Sequence, residues 1–245
     1  MGKKRSLIPN IFTMGNMIMG FFAIIFASRG GTESLAVAGV LIFIAGIFDA
    51  SDGAVARALD VESEIGGQLD SLSDGVSYGI APAVIAYRYC LYKLPEIGMG
   101  LDVGMLVAMI FPICAIYRLA RFNISDEHAG FNGLPSPPAG VIISSIPSLA
   151  VISLPLTGIS NFIFPIELFV PFYIFIALMM VSNVSYGKTY YTLIKMGKTV
   201  TIITTLLVVF LLFYLKMWAV FLSASLYILA GLIRYLLSFA DKSSR

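Results

Sequence analysis

The sequence has little charge: Asp, Glu, Lys and Arg make up 12% of its 245 residues, against roughly 25% in soluble domains. A hydrophobic share of 58% points to a chain solvated by lipid. There is one histidine, His128, which excludes a histidine-rich metal site and leaves no Ser–His or Cys–His couple for covalent catalysis. The two cysteines, Cys90 and Cys114, form no CxxC pattern and lie in or beside apolar runs, so no disulfide is expected. A net charge of +2 is too small to argue for nucleic acid.

What is abundant is apolar sequence. Runs at about 11–28, 35–58, 69–91, 99–121, 139–156, 165–184, 200–215 and 218–239 predict eight membrane-spanning helices in an all-α integral membrane protein. The first run follows a basic triplet but lacks a small-x-small cleavage site, so it is expected to be a retained helix. With the N-terminus inside, all but Arg29, Arg88, Lys93 and Lys216 of the 16 lysines and arginines fall on the inner side. Both termini are therefore expected to be cytoplasmic.

Residues 49–74 break the apolar pattern with four aspartates. Each acid placed within a membrane costs about 2.5–3.5 kcal/mol on insertion scales, so such residues are candidates for function. On a helix, Asp49, Asp52, Gly53 and Ala56 share one face, and Arg57 follows a turn below Gly53. Gly66, Asp70 and Asp74, four apart, form a stripe on the next helix. Two facing stripes would gather four carboxylates, which stay ionised together only if cations join them. An all-oxygen ligand set favours Mg²⁺ or Mn²⁺ over zinc or copper. The small residues Gly53, Ala56 and Gly66 leave room for something bulky beside the acids, such as a metal-bridged diphosphate.

The pattern Asp49-x-x-Asp52-Gly53-x-x-Ala56-Arg57, eight residues, then Gly66-x-x-x-Asp70-x-x-x-Asp74 resembles the full signature of the CDP-alcohol phosphatidyltransferases. That resemblance implies transfer of a phosphatidyl group from a CDP-activated lipid to an alcohol, with release of CMP. It implies two divalent ions held by Asp49, Asp52, Asp70 and Asp74, with Asp74 also acting as the catalytic base. Gly53, Ala56, Arg57 and Gly66 would face the CDP-lipid, Arg57 pairing with a phosphate.

Other stretches extend the resemblance. Asn10, Thr13 and Asn16, at the mouth of the first helix, and Ser63, in the linker between the acidic helices, match nucleotide-contacting positions. Asp60, Glu62 and Glu64 read as a solvated loop. Arg118 and Arg121, one turn apart, could clamp an acceptor carboxylate or a phosphate, or could anchor the helix in the headgroup layer. His128 reads as solvated, and residues 186–191 as an interfacial aromatic and basic belt. The run 117–123, the segment 131–140 and the end of the sixth helix are similar to phosphatidylserine synthases of the Gram-positive and archaeal type. This narrower resemblance implies CDP-diacylglycerol or CDP-archaeol as donor, L-serine as acceptor and a site facing the cytoplasm.

The core is expected over 1–191, with two further helices in 192–245 for packing or assembly, and a homodimer by analogy. Glycerol 3-phosphate or inositol phosphate is the alternative acceptor. A cation transporter is the competing class, but the signature's Gly, Ala and Arg positions have no use in a pore. A non-enzymatic membrane scaffold is the third.

Overall fold

The computed structural model describes residues 7–61, 63–124, 133–152, 163–184, 186 and 217–243. The expected seventh span at 200–215, His128, Glu62 and residues 187–191 lie outside the described residues.

Helix α1 (Leu7–Arg29) turns at Gly30 and Gly31, whose φ values of 72° and 82° suit glycine, into α2 (Thr32–Leu59). Asp60, left-handed at φ 52°, ends α2, its N–H meeting the carbonyls of Ala56 and Arg57. Ser63 then caps α3 (Glu64–Asp74) by accepting the Gly66 N–H at 3.1 Å. The backbone stays right-handed through a π-helical segment, Gly75–Ile80, into α4 (Ala81–Tyr89), making one rod from Glu64 to Tyr89. The third apolar run at 69–91 thus belongs to a helix that starts earlier, at the Ser63 cap.

A short antiparallel ribbon, β1 (Glu96–Gly98) with β2 (Leu101–Asp102), precedes α5 (Val103–Ile124). The fourth span was expected from 99. It begins at 103 because Gly98, Met99 and Gly100 take positive φ in the turn and Asp102 caps α5, accepting the Met105 N–H at 2.7 Å. Helices α6 (Ser136–Val151), α7 (Ile166–Val181) and α8 (Met217–Ser243) complete the described elements.

Helices α1, α2, α5 and α8 contain stretches long and apolar enough to cross a membrane, whereas α6 and α7 are shorter apolar helices of 16 residues each. Large apolar side chains such as Phe21, Ile47, Met109, Ile113 and Leu226 face outward, as expected where the solvent is hydrocarbon. Between helices the contacts use small and hydroxyl residues. Gly39 of α2 lies against the Ser144 carbonyl of α6, and Ser148 donates to the Ala36 carbonyl at 3.0 Å. A second core surrounds Phe111, Phe169 and Tyr173, with the Tyr173 hydroxyl donating to the Ala108 carbonyl at 2.8 Å. Cys90 and Cys114 are buried free thiols.

Candidate active site

The late turns of α2, the α3 rod and the first turns of α1 meet at the acids. Carboxylate oxygens from Asp49, Asp70 and Asp74 all lie within 4.8 Å of one another. Spacing explains this: Asp70 and Asp74 are one turn apart on the rod, and Asp49 faces them from α2.

Asp52 is held differently. The Thr13 hydroxyl donates to its Oδ2 at 2.8 Å and also approaches the Pro9 carbonyl at 3.2 Å, tying α1 to α2. Asp74 is nearly buried, and the Asn16 amide donates to its Oδ1 at 3.1 Å. Two serines lock the same helices together: Ser73 donates to the Thr13 carbonyl at 3.1 Å and Ser77 to the Asn16 carbonyl at 3.0 Å. Asn10 lies beside Gly66, where a Cβ would come 3.4 Å from the Asn10 Oδ1 and 3.0 Å from the Ser63 hydroxyl. Asn10, Thr13 and Asn16 therefore line one face of α1 against the acidic helices.

Three ionised carboxylates at this separation would repel one another, and the buried Asp70 Oδ1 has no hydrogen-bond partner among the described residues. A crowded, all-oxygen cluster with an orphaned acceptor fits a hard divalent cation. Asp49, Asp70 and Asp74 are the residues placed to hold it.

The two arginines are not equivalent. Arg118 is buried; its Nη1 donates to the Ser136 hydroxyl at 2.9 Å, its Nε has no partner among the described residues, and it is within electrostatic reach of Asp74. Arg121 is half-buried. Arg57 is exposed, with its guanidinium alongside Gly53, and Ala56 is half-buried beside it. The structure also brings in Ser73, Ser77 and Tyr78, which no motif marks as site members, and it picks Ser136 out of the segment 131–140. Tyr78 is fully buried, its hydroxyl has no partner among the described residues, and it is within electrostatic reach of all four aspartates. Its position one turn beyond Asp74 was the available signal.

Next to the acids lies a largely apolar cavity of about 680 Å³ between α2, the start of α6 and α8. Phe43, Ile47, Ala54, Val141, Val220 and Tyr227 are among its lining residues. Tyr227 is close enough to Arg118 for the two to interact electrostatically, so the cavity adjoins the guanidinium end of the site.

Among known proteins, one from Helicobacter pylori (strain ATCC 700392 / 26695) is 32% identical over 233 residues, covering 94% of this chain and 91% of its own. One from Methanocaldococcus jannaschii is 34% identical over 186 residues, 76% of each chain. One from Bacillus subtilis is 38% identical over 138 residues, 56% of this chain and 72% of its own. All three are named CDP-diacylglycerol–serine O-phosphatidyltransferase. The CDP-alcohol phosphatidyltransferase family profile matches residues 6–173, which include all four aspartates, and the chain belongs to that family of membrane-embedded enzymes.

Proposed function

We propose that this protein transfers the phosphatidyl group of CDP-diacylglycerol to L-serine, forming phosphatidylserine and releasing CMP. One observation carries the serine reading. Buried Arg118, whose Nε has no hydrogen-bond partner among the described residues, is within electrostatic reach of an Asp74 that Asn16 holds through one oxygen. A small acceptor bearing both a carboxylate and a hydroxyl suits that pair. The names of the relatives agree with it.

Asp49, Asp70 and Asp74, with Asp52 beside them, would hold the divalent ions, two of Mg²⁺ or Mn²⁺ by resemblance to the family, and these would supply charge neutralisation for the diphosphate and the departing nucleotide. The protein's own groups do the positioning. Thr13 fixes Asp52, and Asn16 fixes Asp74 so that Oδ2 remains to take the proton of the serine hydroxyl. Arg118 receives the serine carboxylate in a charge-assisted bond that Ser136 helps to orient. The serine oxygen forms its bond to the lipid-side phosphorus as the bond from that phosphorus to the bridging oxygen breaks. CMP departs with the bridging oxygen. Asn10, Ser63, Gly53, Ala56, Arg57 and Gly66 face the cytidine diphosphate, and the apolar cavity beside α8 takes hydrocarbon from the lipid.

The apolar runs support eight spans, and the lysine and arginine distribution supports both termini and the site on the cytoplasmic side of the cell membrane. A homodimer is the expected assembly. The test is CMP release by purified protein given CDP-diacylglycerol and Mn²⁺ or Mg²⁺, with L-serine, glycerol 3-phosphate, inositol phosphate or no acceptor. Serine-dependent release that is lost in Asp74→Asn supports the proposal. Release with another acceptor alone keeps the chemistry and discards serine, and no release with any acceptor discards the transferase mechanism.

A further inference from the structure

Tyr78 is the largest fully buried side chain whose polar atom has no hydrogen-bond partner among the described residues. It sits in the π-helical segment Gly75–Ile80, one turn beyond Asp74 on the rod, and π-helical turns occur often at functional sites. Its hydroxyl points at α2 beside Gly46, where an added Cβ would lie only 3.5 Å from the oxygen. Gly46 is one turn before Asp49. The side chain thus reaches from the helix that carries Asp74 to the helix that carries Asp49, its hydroxyl one turn before Asp49.

It has no freedom to turn elsewhere. Gly140 of α6 packs so tightly that a Cβ there would come 2.9 Å from the Tyr78 Cα and 3.0 Å from its Cβ. Ala38, Ile42, Ala81 and Ile85 belong to the same packed cluster. Buried hydroxyls are almost always hydrogen-bonded, so one held rigidly without a partner marks a bond completed in another state of the site. The charged groups that act on it are the aspartate carboxylates, which accept when ionised, so toward them the hydroxyl is a donor.

We propose that Tyr78 is a positioning residue for the metal centre: its hydroxyl donates to the Asp49 oxygen that faces away from the cation, fixing that carboxylate for ligation. Partners of this kind, behind a metal ligand, orient it and commonly change metal affinity about 10–100-fold. The proposal rests on the cation reading of the cluster above, and the test separates the two.

The experiment is Mn²⁺ titration of purified wild type and Tyr78→Phe in detergent, followed by electron paramagnetic resonance, with melting of both proteins in EDTA. The expected result is about 10-fold weaker Mn²⁺ binding in Tyr78→Phe, with an EDTA melting temperature equal to or above that of wild type. A purely structural tyrosine would show the reverse, an unchanged Mn²⁺ affinity with a lower melting temperature, and that result overturns the proposal. Equal affinity at equal stability also overturns it while leaving the cation reading intact. If wild type itself binds no Mn²⁺, both fall.

Discussion

The Asn16 amide donates to the Asp74 Oδ1 across 3.1 Å, joining the first helix to the last acid of the motif. One carboxylate oxygen is thereby occupied and the other left to accept a proton. Ser77 holds the Asn16 backbone carbonyl at 3.0 Å, so the donor is itself braced.

Replacing Asn16 by Ala should therefore lower kcat more than it raises the KM for either substrate. Positioned general bases contribute roughly 10²–10⁴-fold, and loss of the positioning bond should remove about the lower end of that range. Steady-state CMP release at varied serine and CDP-diacylglycerol checks it. An effect confined to the KM for CDP-diacylglycerol would make Asn16 a nucleotide contact instead.

Thr13 provides a sharper chemical contrast. Thr13→Val keeps the shape but removes the donor to Asp52, whereas Thr13→Ser keeps the hydroxyl. Mn²⁺ binding should weaken about 10-fold or more in the valine variant and stay near wild type in the serine variant. Equal behaviour of the two would show that the Asp52 bond does not matter to the metal centre.

For Arg118 the expected signature is selective. A hydrogen bond to a charged group contributes about 1.5–3 kcal/mol, so Arg118→Ala should raise the KM for serine by roughly 10–100-fold. The KM for CDP-diacylglycerol should change little. Arg118→Lys should recover only part of the loss, because an ammonium cannot serve Ser136 and a carboxylate in the same planar geometry. Unchanged serine KM in both variants would remove the clamp.

Away from the chemistry, Gly39→Ala tests the helix crossing. A Cβ at Gly39 would meet the Ser144 carbonyl and come 2.7 Å from the Ser148 hydroxyl, so α2 and α6 would have to separate. Overpacking of this kind costs about 1–3 kcal/mol, lowering the melting temperature by about 2–4 °C per kcal/mol in a chain of this size. Thermal melting in detergent reads the shift. A variant melting at the wild-type temperature would mean that the crossing has slack.

Why some of this was visible in the sequence, and some was not, follows from the range of the interactions. The acids at 49, 70 and 74 obey helical spacing, so their convergence could be read from local periodicity, whereas Asp52, expected in the same group, is outside the three-carboxylate cluster and is held by Thr13 instead. Ser63 and Gly66 likewise form a cap within one turn. The Asn16–Asp74 and Thr13–Asp52 bonds join residues 58 and 39 positions apart, and no local pattern encodes them. Arg118 and Arg121 look alike in sequence, but Ser136 makes Arg118 the inward one. Hydropathy alone ran the fourth helix back to 99, missing the turn at Gly98–Gly100 because its flanking residues are apolar.

The acid cluster makes a last prediction whose sign is diagnostic. Asp49, Asp70 and Asp74 repel one another without a cation, so removing one charge should relieve that repulsion. Asp70→Asn should therefore melt in EDTA at or above the wild-type temperature, although a polar residue in the site has been changed. Wild type should gain about 2.7 kcal/mol from Mn²⁺ at 100 times its dissociation constant, whereas Asp70→Asn should gain far less. Melting curves of both proteins across a Mn²⁺ series measure the difference directly. A carboxylate serving only the fold would behave oppositely: its asparagine variant would be destabilised in EDTA and would keep the wild-type response to Mn²⁺. The two roles thus predict opposite changes in two separate readings, and neither reading requires turnover.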